Sequence, residues 1–151
     1  MKSLTSSIDK KIKQYIKNKL DISELIADVD LRNANLSGAI IKKLDRIYGD
    51  LRNCNFSNCT FGEKGKKINL ARANLDGCNF KGAVFLGTVV FRNSSLRNCN
   101  FSDGFFPFVE YQYADFTGSN FCRTVWMLCG TNGRGAKIDK DIFRKWGVEL
   151  I

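Results

Sequence analysis

A five-residue period is the feature that most constrains how this chain can fold. From about residue 29 to residue 128, the order that recurs is a small residue, an asparagine or aspartate, a leucine or phenylalanine and two polar residues. Clear copies are Ala34-Asn35-Leu36, Cys54-Asn55-Phe56, Ala73-Asn74-Leu75, Cys78-Asn79-Phe80, Cys99-Asn100-Phe101, Ala114-Asp115-Phe116 and Ser119-Asn120-Phe121. This period fits neither a helix nor the two-residue alternation of a strand. It indicates repeats that stack on their neighbours and share one core.

The motif resembles that of the pentapeptide-repeat family, which is written A(D/N)LXX. The resemblance implies a right-handed quadrilateral β-helix, in which four pentapeptides form one square coil. It also implies that the leucine or phenylalanine and the small residue two positions before it point inward, while the other three positions point outward. We therefore predict an all-β solenoid, a β-helix of about five coils over residues 29–128.

Phasing the pentapeptides into coils of about 20 residues predicts which centres share a side of the rod. The first side would hold Leu31, Leu51, Leu70, Phe91 and Tyr111, the second Leu36, Phe56, Leu75, Leu96 and Phe116, the third Ile41, Phe61, Phe80, Phe101 and Phe121, and the fourth Phe85, Phe106 and Trp126. This phasing requires one residue to be lost near Lys64–Lys67 and one to be gained near Thr88.

Both ends of such a rod expose strand edges that need covers. We predict that residues 1–28 form a helical cap, because apolar residues recur at helical spacing between residues 7 and 20. A second short turn is expected from Ser23 to Ala27, with Asp21 or Ser23 as its cap. Residues 129–151 should form a loop and a short helix from Asp139 to Trp146. The apolar positions are Ile8, Ile12, Tyr15, Ile16 and Leu20 in the first helix and Ile142, Phe143 and Trp146 in the last.

The residue types needed for common catalytic sites are missing from the sequence. The chain has no histidine, which removes histidine acid–base catalysis, Ser/His and Cys/His nucleophile pairs and mixed Cys/His zinc sites. It also has no glycine-rich phosphate loop and no serine elbow. We therefore predict no catalytic residue, no cofactor and no metal, and a protein that is not an enzyme.

Six cysteines occur without the apolar core of a signal peptide, so free thiols in a reducing compartment are expected. No apolar run approaches the ~18 residues of a membrane span, and we expect a cytoplasmic protein. The phasing places Cys59, Cys78 and Cys99 in one inward column with Cys54 nearby, where cysteine acts as a small buried residue. Cys122 is expected to point outward and to be the more reactive thiol.

Two surfaces are candidates for binding a partner. Arg32, Arg52 and Arg92 directly follow centres of the first predicted side, with Arg72 one position further, so they would form a basic column partly offset by neighbouring aspartates. The outside of the fourth side is apolar in the later coils, where Phe105, Phe108 and Met127 stand out. The C-terminal helix is expected to cover this strip, and a homodimer contact there is the alternative. Two irregular segments that contain lysines, Lys42–Gly49 and Gly62–Lys67, interrupt the fourth side in the first two coils.

These features favour a non-enzymatic scaffold that binds a protein partner of unknown identity. The chain could also form a homodimer through the C-terminal region or the fourth side. An alternative comes from the resemblance, since some pentapeptide-repeat proteins bind DNA gyrase by imitating duplex DNA and so affect quinolone sensitivity. The net charge of +9 argues against that mimicry. A third hypothesis is that the Arg32, Arg52 and Arg92 column binds nucleic acid or another anionic surface, although aromatic residues do not interleave with it.

Overall fold

A computed structural model of the chain describes residues 1–126 and 134–139. Two helices precede the repeats, α1 (Ser6–Lys17) and α2 (Ser23–Ile26). The repeats contain short strands, which are β1 (Ile40–Ile41), β2 (Thr60–Phe61), β3 (Lys67–Asn69), β4 (Val84–Phe85), β5 (Thr88–Val90), β6 (Phe105–Phe106), β7 (Phe108–Glu110) and β8 (Val125–Trp126). They form two parallel sheets, in the orders β1-β2-β4-β6-β8 and β3-β5-β7.

The two sheets are two sides of a square rod, and rows of single β-bridges form the other two. We name the sides A to D by the central residues that stack on each. Side A holds Leu31, Leu51, Leu75, Leu96 and Phe116; side B holds Leu36, Phe56, Phe80, Phe101 and Phe121; side C holds Ile41, Phe61, Phe85, Phe106 and Trp126; and side D holds Arg46, Leu70, Phe91 and Tyr111. The predicted quadrilateral β-helix is thus confirmed.

The coil count and the register differ from the prediction. Four complete coils are present, and the fifth has three described sides. Leu70 follows Phe61 by nine residues, so the chain gains four residues where the phasing removed one. A gain of four residues and a loss of one both keep the five-residue motif in step, since they differ by five residues. Five residues make one side of the rod, so the two alternatives place all later residues on different sides. From Leu70 onward, every predicted centre therefore stacks one side away from its predicted partners in the first two coils.

Asparagine and aspartate precede the centres because their side chains close the corners. The Oδ1 of Asn55, for example, accepts a hydrogen bond from Ser57 N–H at 3.1 Å. On side B this position is asparagine in all five coils, and Asn55 Nδ2 donates to Asn35 Oδ1 at 3.0 Å. The residue two after the centre turns the corner with a positive φ, as Asn53 does at 58°. The local motif therefore encodes the corner itself.

Aromatic stacks fill the core on sides B and C. Phe80 lies 5.2 Å from both Phe56 and Phe101, with ring planes 18° and 2° apart. Phe61 and Phe85 stack at 4.5 Å on side C. Each such contact adds about 0.5–1.5 kcal/mol beyond the burial of apolar area. The stability of the rod thus accumulates from coil to coil.

The N-terminal segment covers the first coil. Helix α1 begins at its N-cap Thr5 and buries Ile12, while Ile8, Tyr15 and Ile16 pack partly buried against the core. Leu20, which the pattern assigned to the apolar stripe, lies beyond the helix and is 47% exposed. The N-cap of α2 is Ile22, which makes no side-chain cap bond, so the prediction of Asp21 or Ser23 as the cap is wrong. Asp21 Oδ1 instead accepts bonds from the N–H and the hydroxyl of Ser23, the first residue of the helix. Asp21 and Lys2 also form bridges with Ile40 and Val29.

The described C-terminal residues extend the rod. Lys137 forms a bridge with Asp115, and Phe116 N–H donates to Lys137 O at 2.8 Å. Residues 134–139, which the sequence pattern assigned mainly to a loop, therefore add one further level to side A. The predicted helix from Asp139 to Trp146 lies outside the described residues except for its first position.

Candidate interaction surfaces

The structure does not assemble the four predicted arginines into one column. Arg32 and Arg52 lie at the corner between sides A and B, whereas Arg72 and Arg92 lie at the corner between sides D and A. The one-side shift in register separates the two pairs. On the first corner, the positions above Arg52 are occupied by Asp76, Arg97 and Thr117.

Aspartates neutralise the first pair of arginines. Asp30 and Asp50 bind Arg32 and Arg52 through contacts of 2.5 and 2.8 Å. Hydrogen bonds from Arg32 lower the pKa of Asp30 to about 2. Asp30, Arg32 and Arg52 line a shallow depression of about 310 Å³ together with Asn33 and Asn53. This corner is polar and well paired, so it leaves little charge for a partner.

In the second pair of arginines, Arg72 contacts Tyr48 and Arg92 contacts Glu110. The Arg72 guanidinium lies 5.2 Å from the centre of the Tyr48 ring and donates to the Tyr48 hydroxyl. Arg92 and Lys67 both contact Glu110, at 2.6 and 2.8 Å. Hydrogen bonding from Lys67, together with the charge of Arg92, lowers the pKa of Glu110. One carboxylate therefore serves two cations here.

Charge is sorted by side over residues 29–126, all of which the structure describes. Sides A and B, each counted with the corner that follows it, carry five cations and five carboxylates, and the strand positions of side C carry no charged residue. Side D with its two corners carries eight cations and three carboxylates. The cations are Lys42, Lys43, Arg46, Lys64, Lys66, Lys67, Arg72 and Arg92, and the carboxylates are Asp45, Glu63 and Glu110. The whole net charge of this part of the rod, +5, thus lies on side D.

The two irregular segments both lie beside side D, but they differ in kind. Lys42–Gly49 is not an interruption, because Leu44 and Arg46 fill the inward positions of side D in the first coil. Of the two segments, only Gly62–Lys67 contains inserted residues, and it turns out from the corner between sides C and D with its lysines exposed. A second, one-residue insertion near Thr88 agrees with the predicted gain.

The outside of side C is an apolar ladder. The outward residues that stack along it are Ile40, Thr60, Val84, Phe105 and Val125. Phe105 and Val125 are 39% and 49% exposed, and the adjacent Leu86 is 48% exposed. Phe108, which the sequence grouped with this strip, belongs to side D and is 50% exposed. Met127 lies outside the described residues, as does most of the segment predicted to cover the strip.

The repeat, its corners and its stacking together identify the family. A family model described as pentapeptide repeats matches eight copies, over residues 27–58 and 67–103. The chain belongs to the pentapeptide-repeat family. The gap between the two matched ranges coincides with the insertion that shifts the register.

Solved structures similar to this pentapeptide-repeat protein share only low identity with it. One is QnrB1, described as a plasmid-mediated fluoroquinolone resistance protein, with 14% identity, coverage of 82% of this chain and 86% of that chain, and a TM-score of 0.27. Another is HetL from the cyanobacterium Nostoc sp. strain PCC 7120, described as involved in heterocyst differentiation regulation, with 15% identity and a TM-score of 0.28. The chain covers 53% of HetL, which covers 73% of this chain. No curated protein matches the sequence significantly.

The inward cysteines of this pentapeptide-repeat protein form a different column from the predicted one. Cys54, Cys78 and Cys99 stack on side B, while Cys59 lies on side C. Their thiols are more than small apolar fillers, since Cys78 Sγ donates to Leu51 O and Cys99 Sγ to Leu75 O at 3.0 and 3.1 Å. Burial raises the pKa of Cys59 to about 12 and raises those of the other three further. Cys122 is more accessible than these four.

Metal and membrane sites are not among the described features. No cluster of His, Cys, Asp or Glu that could hold a metal ion occurs in residues 1–126 and 134–139. Within the same residues, no helix is long and apolar enough to cross a bilayer. The predicted cytoplasmic location stays a prediction.

Proposed function

We propose that this pentapeptide-repeat protein is a non-enzymatic scaffold that binds another protein through the outer surface of side C. The observation that carries the proposal is the exposed apolar ladder of Phe105, Val125 and the adjacent Leu86, on a side whose strand positions hold no charged residue. Contiguous exposed apolar surface on a rigid element is typical of protein interfaces. The absence of histidine from the chain also supports a role in binding rather than in catalysis.

Threonine is a substitution that the ladder position already tolerates in this chain. Thr60 occupies this position in the second coil, so Phe105→Thr and Val125→Thr should leave the β-helix intact while removing apolar surface. Lys81, on the outside of side B, offers a matched position away from the proposed interface.

Site-specific photocrosslinking in lysate of the encoding organism tests the proposal. A photoreactive phenylalanine at position 86 should give a discrete protein adduct that the same residue at position 81 does not give. The Phe105→Thr/Val125→Thr variant should reduce that adduct by about tenfold, because central apolar contacts dominate binding energy. An adduct with twice the chain mass would identify a second copy as the partner. Absence of an adduct at position 86, or the same pattern at both positions, would overturn the proposal.

A further inference from the structure

We propose that side D binds single-stranded nucleic acid, with its cations on phosphates and the exposed rings of Tyr48, Phe108 and Tyr113 against the bases. This surface is separate from the side C interface, so each proposal stands or falls alone. The inference rests on the coincidence of three features on one side of the rod: excess charge, exposed aromatic rings and strained corner residues.

Charge is the first feature. Side D with its two corners carries a net +5 over residues 29–126, or +4 without the inward Arg46, while sides A and B together are neutral. No carboxylate of the described residues pairs with Arg72, and Glu110 is shared by Lys67 and Arg92. A surface of this kind attracts a polyanion and releases condensed counterions when it binds.

Exposed rings are the second feature. Tyr48 is 67% exposed, Tyr113 54% and Phe108 50%. Tyr48 and Tyr113 occupy the same corner column three coils apart, which places them about 14 Å apart along the rod. Arg72 lies between them in that column, and Arg92 lies beside it. Rings interleaved with cations form the stacking platform that single-strand binders use.

Backbone strain is the third feature. Tyr48, Arg72 and Tyr113 adopt φ angles of 60°, 57° and 57°. Asparagine and glycine reach this conformation more readily, and Asn93 occupies it in the same column. Tyr48 contacts Arg72 and the Tyr113 ring lies against Gly135, yet both rings keep more than half of their surface exposed at these corners.

The rings favour a single strand over the other polyanions. A duplex keeps its base faces stacked inside, and an acidic peptide offers carboxylates but no flat base to a phenol ring. Single-stranded bases are free to stack on exposed rings. The basic and aromatic patch is only about 14 Å tall, which suits a few nucleotides.

Binding is measured by fluorescence anisotropy with a labelled oligo(dT) of about 12 nucleotides, in the full chain, from about 50 mM salt upward. With three or four phosphates contacted, the logarithm of the affinity should fall with the logarithm of salt with a slope of about −2 to −3. Tyr48→Asn/Tyr113→Asn should weaken binding at least about fivefold without changing the slope. Arg72→Asn/Arg92→Gln should also make the slope shallower by about 1.4.

Each substituted residue already occurs at the equivalent position of another coil, as Asn93 and Gln112 show, so the variants should keep the fold. Arg32→Thr/Arg52→Thr removes the same charge from the corner between sides A and B and should change the affinity less than about twofold. The proposal fails if oligo(dT) does not bind at low salt, or if this control weakens binding as much as the side D variants. It also fails if poly-glutamate or blunt duplex of equal charge binds as tightly as oligo(dT).

Discussion

At the scale of single residues, Arg46 is the least expected member of the rod. It occupies the inward position that Leu70, Phe91 and Tyr111 fill in later coils. Its guanidinium donates to the carbonyls of Ile26 and Val29, which end the N-terminal cap and begin the first coil. Burial lowers the pKa of Arg46, but arginine stays cationic at any ordinary pH. The side chain therefore ties the cap to the repeats.

Replacing Arg46 by alanine tests that role. We expect Arg46→Ala to lower the free energy of unfolding by about 2–4 kcal/mol, because two buried carbonyls lose their donor. Urea unfolding followed by circular dichroism measures the change. Arg52→Thr, which removes an exposed ion-paired arginine, should lower the stability by less than about 1 kcal/mol. Equal effects of the two substitutions would contradict the assignment.

At the scale of elements, sides A and B close the same corners with different chemistry. Side B uses asparagine before the centre in all five coils, whereas side A uses aspartate in three of five, and two of these, Asp30 and Asp50, pair with arginines. Burial alone would raise the pKa of Asp76, but hydrogen bonds from Arg97 and Ser95 outweigh it and lower the pKa. A carboxyl whose pKa is lower in the folded chain stabilises the fold above its unfolded pKa and loses that effect as the pH falls. Side A should therefore be the acid-sensitive side.

Asp76→Asn, at the position after a side A centre, and Asn79→Ala, at the position before a side B centre, test whether charged and neutral corners differ in acid sensitivity. The urea midpoint of the wild-type chain should be steady near neutral pH and fall between about pH 4 and about pH 2. Asp76→Asn should lower the midpoint at pH 7 and flatten its fall in acid, because one titrating carboxyl is gone. Asn79→Ala should lower the midpoint by the same amount at every pH. An acid profile unchanged by Asp76→Asn would show that the pair does not couple to folding.

At the scale of the whole molecule, the charge pattern bears on whether this chain could imitate DNA for gyrase, as some pentapeptide-repeat proteins do. A protein that imitates DNA for gyrase needs an acidic surface. Sides A and B together are neutral over residues 29–126, and the aspartates of side A are offset by the arginines of the corner that follows it. We expect the purified chain to leave gyrase supercoiling and its quinolone sensitivity unchanged at micromolar concentration, measured on relaxed plasmid. Inhibition or protection at that concentration would show that the acidic surface is dispensable.

The sequence alone predicts which residues of the regular repeats face inward, how their corners turn and the total charge. These properties depend on contacts within a few residues, such as the bond from Ser57 N–H to Asn55 Oδ1, so every copy of the motif encodes them. Only the tertiary structure decided which coil residues stack, and hence that Arg72 joins Tyr48 rather than Arg52. Pentapeptides are nearly equivalent to one another, so the motif does not show which side of the rod each copy occupies. A gain of four residues and a loss of one also leave the five-residue motif equally in step. The distribution of charge and rings among the sides therefore depends on long-range stacking that the period cannot encode.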